Sequence, residues 1–178
     1  TLFSSFLENE EFCKRDFKPL KLSMAGGMAM SRTVAEKWKK VTGNSIVEGY
    51  GLTECSPIVT INPVDIPEYN GSIGLPISSP ELILRDDDRK TVPLGQPGEI
   101  AIRGPNVMRG YYKNEAATRA AFTADGWLRS GDLGHRDIDG FYFVTGRIKE
   151  LIIKGGENIA PREIDEALLA HPAVLDAA

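Results

Sequence analysis

Five residues that follow a short apolar segment combine the groups that a nucleotide needs. Gly49 and Gly51 flank Tyr50, and Thr53 and Glu54 come directly after Leu52. Glycine has no Cβ, so the backbone can turn sharply there and let a flat ligand approach closely. Tyr50 offers an aromatic face, while Thr53 offers a hydrogen-bond donor and Glu54 an oxygen ligand for a divalent cation. The spacing indicates a nucleotide site, with an ordinary turn after a buried strand as the alternative.

The standard nucleotide-binding motifs do not explain this stretch. A Rossmann fingerprint needs a third glycine where Glu54 stands, and a Walker A loop needs a Gly-Lys-Ser/Thr sequence that occurs nowhere in the chain. A hydrolase triad of Ser130, Asp132 and His135 is equally unsupported, because the three lie close together on one segment without a Gly-x-Ser-x-Gly elbow. If a nucleotide binds, it binds in another way.

Composition and charge exclude several classes of protein. The 178 residues are 42% hydrophobic and 26% charged, as in an ordinary globular protein, and the net charge of −4 argues against a nucleic-acid partner. No apolar run reaches the roughly 20 residues needed to span a bilayer, and no signal peptide opens the chain, so we expect a cytoplasmic protein. Cys13 and Cys55 are too few for a disulfide framework or a zinc site, and both are expected to be reduced.

The first third of the chain predicts a strand, helix, strand unit. Residues 20–24 alternate apolar with polar side chains, which is the pattern of a strand. Thr33 and Glu36 have the spacing of a capping box at the start of the helix. Val34, Trp38 and Val41 form the apolar face of the helix, and Gly43 is expected to end it in the left-handed conformation. The glycine turns at 25–27 and 49–51 should lie at the carboxyl ends of parallel strands, where open α/β sheets bind ligands.

Beyond Pro57 the sequence is typical of a β-rich subdomain. Short apolar or alternating runs are separated by turns rich in Asp, Pro and Gly, and Asp139-Gly140 is a strong hairpin signal. Asn114 is placed to cap a short helix that runs to Phe122. Pro161 suits the first turn of a further helix after a second, short β region.

Four separated motifs occur along the chain. They are Ala25-Gly-Gly27, Glu48-Gly-Tyr-Gly-Leu-Thr-Glu54, Gly126-Trp-Leu-Arg-Ser-Gly-Asp132, and Gly146-Arg-Ile-Lys149 with Lys154-Gly-Gly156. In these motifs and their order, covering nearly the whole chain, the sequence closely resembles the adenylate-forming acyl-CoA synthetases. The segments 62–66 and 71–76 resemble those of the bacterial long-chain fatty acid–CoA ligases within that family.

The resemblance implies an α/β fold. Residues 1–58 would form the βαβ unit of a large domain, and residues 59–147 would form its β-rich, distorted barrel subdomain. Residues 148–178 would hold the hinge and the start of a small α+β lid domain. Because the sequence starts without Met and stops on what reads as the start of a strand, we expect a piece of a longer protein.

The family couples a carboxylate to ATP, giving an acyl-adenylate and pyrophosphate, and then passes the acyl group to coenzyme A. The resemblance implies that the adenine packs between Gly27 and Tyr50. Thr53 would donate to the α-phosphate, and Glu54 would hold Mg²⁺. Asp132 would accept hydrogen bonds from both ribose hydroxyls, since a carboxylate is an acceptor through two oxygens. The implied catalytic residues are Thr53, Glu54 and Lys149.

The last motif carries the remaining roles. Arg147 would contact the ribose and phosphate side of the adenylate, and Lys149 would be the hinge at which the lid changes pose, with a solvated linker as the alternative. Lys154 and its two glycines would approach the pantetheine channel. The implied nucleotide- and coenzyme-binding residues are Gly26, Gly27, Glu48, Gly49, Tyr50, Gly51, Thr53, Asp132, Arg147, Lys154, Gly155 and Gly156.

The implied function is that of an ATP-dependent fatty acid–CoA ligase, with a fatty acid, ATP, Mg²⁺ and coenzyme A as substrates and cofactors. The family's upstream phosphate-gripping loop and its late lid lysine do not occur in these 178 residues, so we expect them alone not to catalyse adenylation. The alternatives are acyl transfer to acyl carrier protein, in a chain fused to an acyltransferase, and a non-catalytic nucleotide-binding module. Peripheral association with the inner face of the membrane is left open.

Overall fold

The chain forms two compact units. The computed structural model describes residues 2–155, 157–169, 171 and 173–174. The units divide between Ile77 and Ser78, and each contains a four-stranded sheet of its own. The three-part division expected from the sequence, with boundaries at 58 and 147, stays a prediction.

The first unit is built around a βαβ unit. Its described elements are α1 (Leu2–Glu8), α2 (Glu10–Cys13), β1 (Ser23–Ala25), α3 (Arg32–Thr42), β2 (Ile46–Gly51), a 3-10 turn (Thr53–Cys55), β3 (Ile58–Ile61) and β4 (Leu75–Pro76). The strand order is β1-β2-β3-β4, with β1 and β2 parallel and the other pairs antiparallel. The predicted strand, helix, strand unit is confirmed, with the glycine turn 25–27 at the carboxyl end of β1 and residues 49–51 as the last residues of β2.

Trp38 joins helix α3 to the rest of the first unit. Its side chain is buried, the ring of Phe3 meets it edge-on at 4.7 Å between centroids, and its Nε1 donates to Ser23 Oγ at 2.9 Å. A buried indole N–H needs an acceptor, so the polar residue of β1 faces inward while Met24 is exposed. The alternation of residues 20–24 predicts a strand, and the structure forms it over Ser23–Ala25, later than predicted and with the polar Ser23 buried.

The two ends of α3 differ in how well local signals predict them. Gly43 ends the helix in the left-handed conformation, with a φ of 76°, and its N–H donates to Lys39 O at 2.8 Å, as predicted. The predicted capping box is wrong. Ser31 precedes the first turn, so Thr33 lies inside the helix, and Glu36 is placed 3.6 Å from the guanidinium of Arg32.

The second unit is a four-stranded antiparallel sheet followed by a hairpin and a helix. Its described elements are β5 (Glu81–Arg85), β6 (Gly98–Arg103), α4 (Glu115–Ala121), β7 (Leu128–Arg136), β8 (Tyr142–Arg147), a 3-10 turn (Ile148–Glu150), β9 (Ile152–Lys154), β10 (Glu157–Ile159) and α5 (Pro161–Leu169). The sheet order is β5-β6-β7-β8, and β9 pairs with β10. Its buried apolar residues include Leu82, Leu84, Ile100, Ile102, Leu128 and Tyr142.

Local turn and cap signals in the second unit are confirmed. Asn114 Oδ1 accepts from Ala117 N at 3.0 Å at the start of α4. Gly140 has a φ of 91° in the turn between β7 and β8, and Pro161 opens α5. Among the described residues, no helix combines the length and the apolar character that a membrane crossing requires.

Candidate functional site

The glycine turn after β1 lies against the end of β2. A Cβ placed on Gly26 would come within 3.1 Å of the Gly49 carbonyl oxygen, so the two backbones are close neighbours. Gly27 has a φ of 83°, in the region that favours glycine, and a Cβ there would meet no atom within 4 Å. The structure therefore brings three predicted binding glycines to one sheet edge, next to open space on the side of Gly27.

The aromatic residue of the first motif belongs to a strand. Tyr50 is half-buried and pairs with Thr60 of β3, and the register shifts between Tyr50 and Gly51, which pairs with Ile58. The spacing predicts one loop that holds both glycines, Tyr50, Thr53 and Glu54. This placement is wrong, because antiparallel pairing with β3 extends β2 to Gly51 and leaves only a short turn before Ile58.

That short turn holds Thr53 and Glu54. Thr53 is exposed and Glu54 is half-buried on the 3-10 turn Thr53–Cys55, which is closed by a 2.9 Å hydrogen bond from Leu52 N to Pro57 O. Within the described residues no group of three or more His, Cys, Asp or Glu side chains gathers around a possible metal position. Mg²⁺ usually takes one or two carboxylates and completes its shell with substrate phosphates and water, so a single carboxylate beside an exposed hydroxyl fits a metal that arrives with ATP.

Cys55 lies behind this turn and should be chemically inert. Its side chain is fully buried, and burial, followed by the charge of Glu54, raises the pKa of its thiol to about 11. Because only the thiolate reacts, we expect iodoacetamide at pH 8 to leave Cys55 unlabelled in the native protein and to label it after unfolding. Peptide mapping by mass spectrometry measures this. Half-buried Cys13 is the internal control, and equal labelling of both native thiols would contradict the prediction.

Glu48 fixes the backbone of Met30, in the segment that follows the glycine turn. Its carboxylate is buried and accepts from Met30 N at 3.0 Å, while Tyr69 Oη donates to Met30 O at 2.7 Å. Both backbone groups of Met30 are thus fixed, and with them the end of the segment that follows β1. Direct contact between Glu48 and a nucleotide stays a prediction.

In the second unit, Asp132 and Arg147 face each other on neighbouring strands. They are register partners across β7 and β8, and Arg147 Nε donates to Asp132 Oδ1 at 3.1 Å. The Asp132 side chain is only 6% exposed, whereas that of Arg147 is 62% exposed and also lies 3.6 Å from Glu150 Oε1. The arrangement combines a buried acceptor with an accessible cation.

A bulge in β7 presents Asp132. Ala101 of β6 pairs with Arg129 of β7, and Glu99 pairs with Leu133. Over this interval β6 advances by two residues and β7 by four, so β7 bulges. Such bulges bend a strand and re-aim its side chains, often next to active sites. Glu99, which contacts the bulge, was not among the predicted site residues. Glu99 precedes the short apolar run 100–102, where a charged residue has the pattern of an ordinary surface charge.

The last motif lies on exposed backbone turns. Lys149 is exposed in the 3-10 turn Ile148–Glu150. Lys154 ends β9, and Gly155 has a φ of 64° in the turn toward β10. Gly156 lies outside the described residues. The binding roles of these residues stay predictions.

Comparison with known proteins gives matches over all or most of the chain. The chain is 50% identical to a long-chain-fatty-acid–CoA ligase of Yersinia pestis over 100% of its own length and 32% of that protein's. It is 56% identical to a sulfoacetate–CoA ligase of Cupriavidus necator over 76% of its length and 27% of that protein's. The chain thus spans about a third of the length of the curated relatives it matches.

A solved structure of similar sequence has the same fold. An o-succinylbenzoate CoA synthetase from Bacillus subtilis, in complex with its acyl-adenylate intermediate, matches with a TM-score of 0.85 and 35% identity, over 99% of this chain and 35% of the other. The expected α/β fold is thereby confirmed. The family model described as "AMP-binding enzyme" matches residues 1–112, which is more than half of the chain. The chain therefore belongs to the family of AMP-binding enzymes.

Proposed function

We propose that this chain is part of an ATP-dependent fatty acid–CoA ligase, which first forms an acyl-adenylate and then an acyl-CoA thioester. The observation that carries the proposal is the ion pair of Asp132 and Arg147, 3.1 Å apart on adjacent strands. AMP has two ribose hydroxyl donors beside an anionic phosphate. A buried carboxylate next to an accessible guanidinium offers a complementary group to each.

The chain's other residues have roles in the first step, in which the acid's carboxylate oxygen attacks the α-phosphorus of ATP and pyrophosphate leaves. The ring of Tyr50 packs on one face of the adenine, with the Gly27 backbone against the other. The exposed hydroxyl of Thr53 donates to the α-phosphate. Glu54 holds Mg²⁺, which when bound neutralises charge on the phosphates.

In the second step the thiol of coenzyme A attacks the acyl carbonyl and AMP leaves. Lys149 lies in an exposed turn that follows β8, so backbone rotation there needs to break few packing contacts. This supports its role as a hinge between two poses of the segment that follows. Lys154 and Gly155, on the exposed β9 turn, then approach the pantetheine arm.

The identity of the acid is the point on which two candidates differ. The relative that matches the whole chain acts on long-chain fatty acids by its name, which supports a fatty acid. The sulfoacetate relative is more similar over 137 residues, which favours a short anionic acid as the second candidate.

Acid-dependent exchange of pyrophosphate into ATP, measured on the full-length protein that carries this chain, tests the proposal. We expect exchange with hexadecanoate and not with sulfoacetate, followed by thioester formation with coenzyme A. Exchange with sulfoacetate but not with hexadecanoate would assign the second candidate. If neither acid supports exchange, the proposed ligase activity is contradicted. Offering acyl carrier protein in place of coenzyme A separates the two acceptors.

A further inference from the structure

The bulge that carries Asp132 has backbone donors that side chains satisfy. Gly131 has a φ of 76°, and its N–H donates to Glu99 Oε1 at 3.1 Å. The N–H of Asp132 donates to Ser130 Oγ at 3.0 Å. The two peptide groups that precede the Asp132 Cα are therefore oriented by hydrogen bonds to side chains, and one of these side chains comes from the neighbouring strand.

Glu99 is built into this position. Its side chain is only 15% exposed, and its second oxygen, Oε2, accepts from Arg129, whose Nε and Nη2 both lie 3.0 Å away. One carboxylate thus joins β6 to the residues before and within the bulge. A hydrogen bond to a charged acceptor contributes more than a neutral one, which suits a contact that must hold glycine in a left-handed conformation.

We propose that Glu99 is a positioning residue that aims the Asp132 carboxylate at the ribose of the bound nucleotide. The inference rests on the proposed function and deepens it. Glu99 acts through Gly131 and has no contact with substrate in this role. Loss of its acceptor oxygen leaves the bulge without its cross-strand hydrogen bond, so the Asp132 carboxylate loses its fixed orientation.

The preference for ATP over 2′-deoxy-ATP tests the proposal in the full-length protein. The measured quantity is the ratio of kcat/KM for the two nucleotides in acid-dependent adenylation. This ratio is internal to each variant, so a smaller fraction of folded protein does not change it. We expect the wild type to prefer ATP by about tenfold or more, since a hydrogen bond to a charged acceptor is lost with the 2′-hydroxyl.

Four variants separate positioning from general structural support. Asp132→Ala should abolish the preference for ATP, because it removes the acceptor of the 2′-hydroxyl. Glu99→Ala should reduce the kcat/KM ratio to within about threefold of unity, because the Asp132 carboxylate is no longer oriented toward that hydroxyl. Glu99→Gln retains an oxygen that accepts from Gly131 and should keep most of the preference. Arg129→Met removes only the ion pair and is the matched control that should keep it. If Glu99→Ala does not fold, Glu99→Asp, one methylene too short to reach Gly131 N, takes its place and should also lose the preference.

The results that overturn the inference differ from those that overturn the function. A wild type without acid-dependent adenylation overturns the function and the inference together. If Asp132→Ala abolishes the preference for ATP but Glu99→Ala or Glu99→Asp keeps it, the inference alone is overturned. If Asp132→Ala keeps the preference for ATP, Asp132 does not contact the ribose, and the proposed role of Glu99 is overturned with that contact.

Discussion

Replacing Asp132 by alanine is expected to raise the KM for ATP at least tenfold, and by as much as about a hundredfold, with a much smaller change in the KM for the acid. Hydrogen bonds to a charged acceptor contribute about 1.5–3 kcal/mol, and the substitution removes the acceptor of the ribose hydroxyls. It also leaves Arg147 without the carboxylate that lies 3.1 Å from its Nε. Steady-state kinetics of pyrophosphate exchange in the full-length protein, with ATP and acid varied separately, measure both constants.

Asp125→Asn is the matched control for this substitution. Asp125 directly precedes the same motif and pairs with Arg85 through two hydrogen bonds, and these hold the pKa of its carboxyl well below the usual range. Its side chain is 57% exposed, and it has no predicted contact with nucleotide. The KM for ATP should stay within about twofold of wild type, as for a surface substitution. Equal KM values for ATP in Asp132→Ala and Asp125→Asn would show that Asp132 is not part of the nucleotide site.

Gly51→Ala is expected to destabilise the first unit by about 3 kcal/mol or more, a cost at the upper end for overpacking. A Cβ on Gly51 would lie 1.8 Å from Pro57 O and 2.9 Å from the Cα of Ile58, distances that no real Cβ adopts. Both obstacles are backbone atoms, so no side-chain rotation relieves the clash. The turn that carries Thr53 and Glu54 has to open, and the hydrogen bond from Leu52 N to Pro57 O is lost with it.

Gly49→Ala, two residues earlier on the same strand, provides the comparison. A Cβ there would lie 3.4 Å from Thr60 O, an ordinary van der Waals contact, so the cost should stay within about 1 kcal/mol. Urea unfolding of both variants in the full-length protein, followed by fluorescence, gives the two free energies. Equal unfolding midpoints would show that the close approach of Gly51 to Pro57 does not constrain the turn.

Local signals predicted the parts of the fold that depend on neighbouring residues. Gly43 at a helix end, Asn114 at a helix start and Asp139-Gly140 in a hairpin all have the predicted roles. In each case the side chain, or its absence, acts on backbone within four residues. The same holds for the order of strand, helix and strand in the first unit, which follows from apolar periodicity.

The structure departs from the local signals at two places. Thr33 and Glu36 have the right spacing for a capping box, but Ser31 precedes the first turn, so the helix starts two residues too early for them. Ser23 rather than Met24 faces inward from β1, because the buried indole of Trp38 needs an acceptor. The burial of Ser23 cannot be read from a periodic pattern, since it involves a partner in another element.

The candidate site divides in the same way. Tyr50 between its glycines and Thr53 beside Glu54 indicated a nucleotide site, and the resemblance of four separated motifs implied the family. They did not predict that Glu48 would hold Met30, or that Glu99 would support the bulge around Asp132. Both glutamates are charged residues within strands, and only the fold gives them a buried acceptor role.

The sequence by itself determined the family, through the resemblance of four separated motifs, and the local turns, because these turns depend on residue types at short, fixed spacings. The tertiary structure alone decided how the carboxylates are used. Strand register pairs Asp132 with Arg147 and brings Glu99 to Gly131, 32 residues away along the chain. Register is set by packing and by bulges across the whole sheet, so no short stretch of sequence contains it.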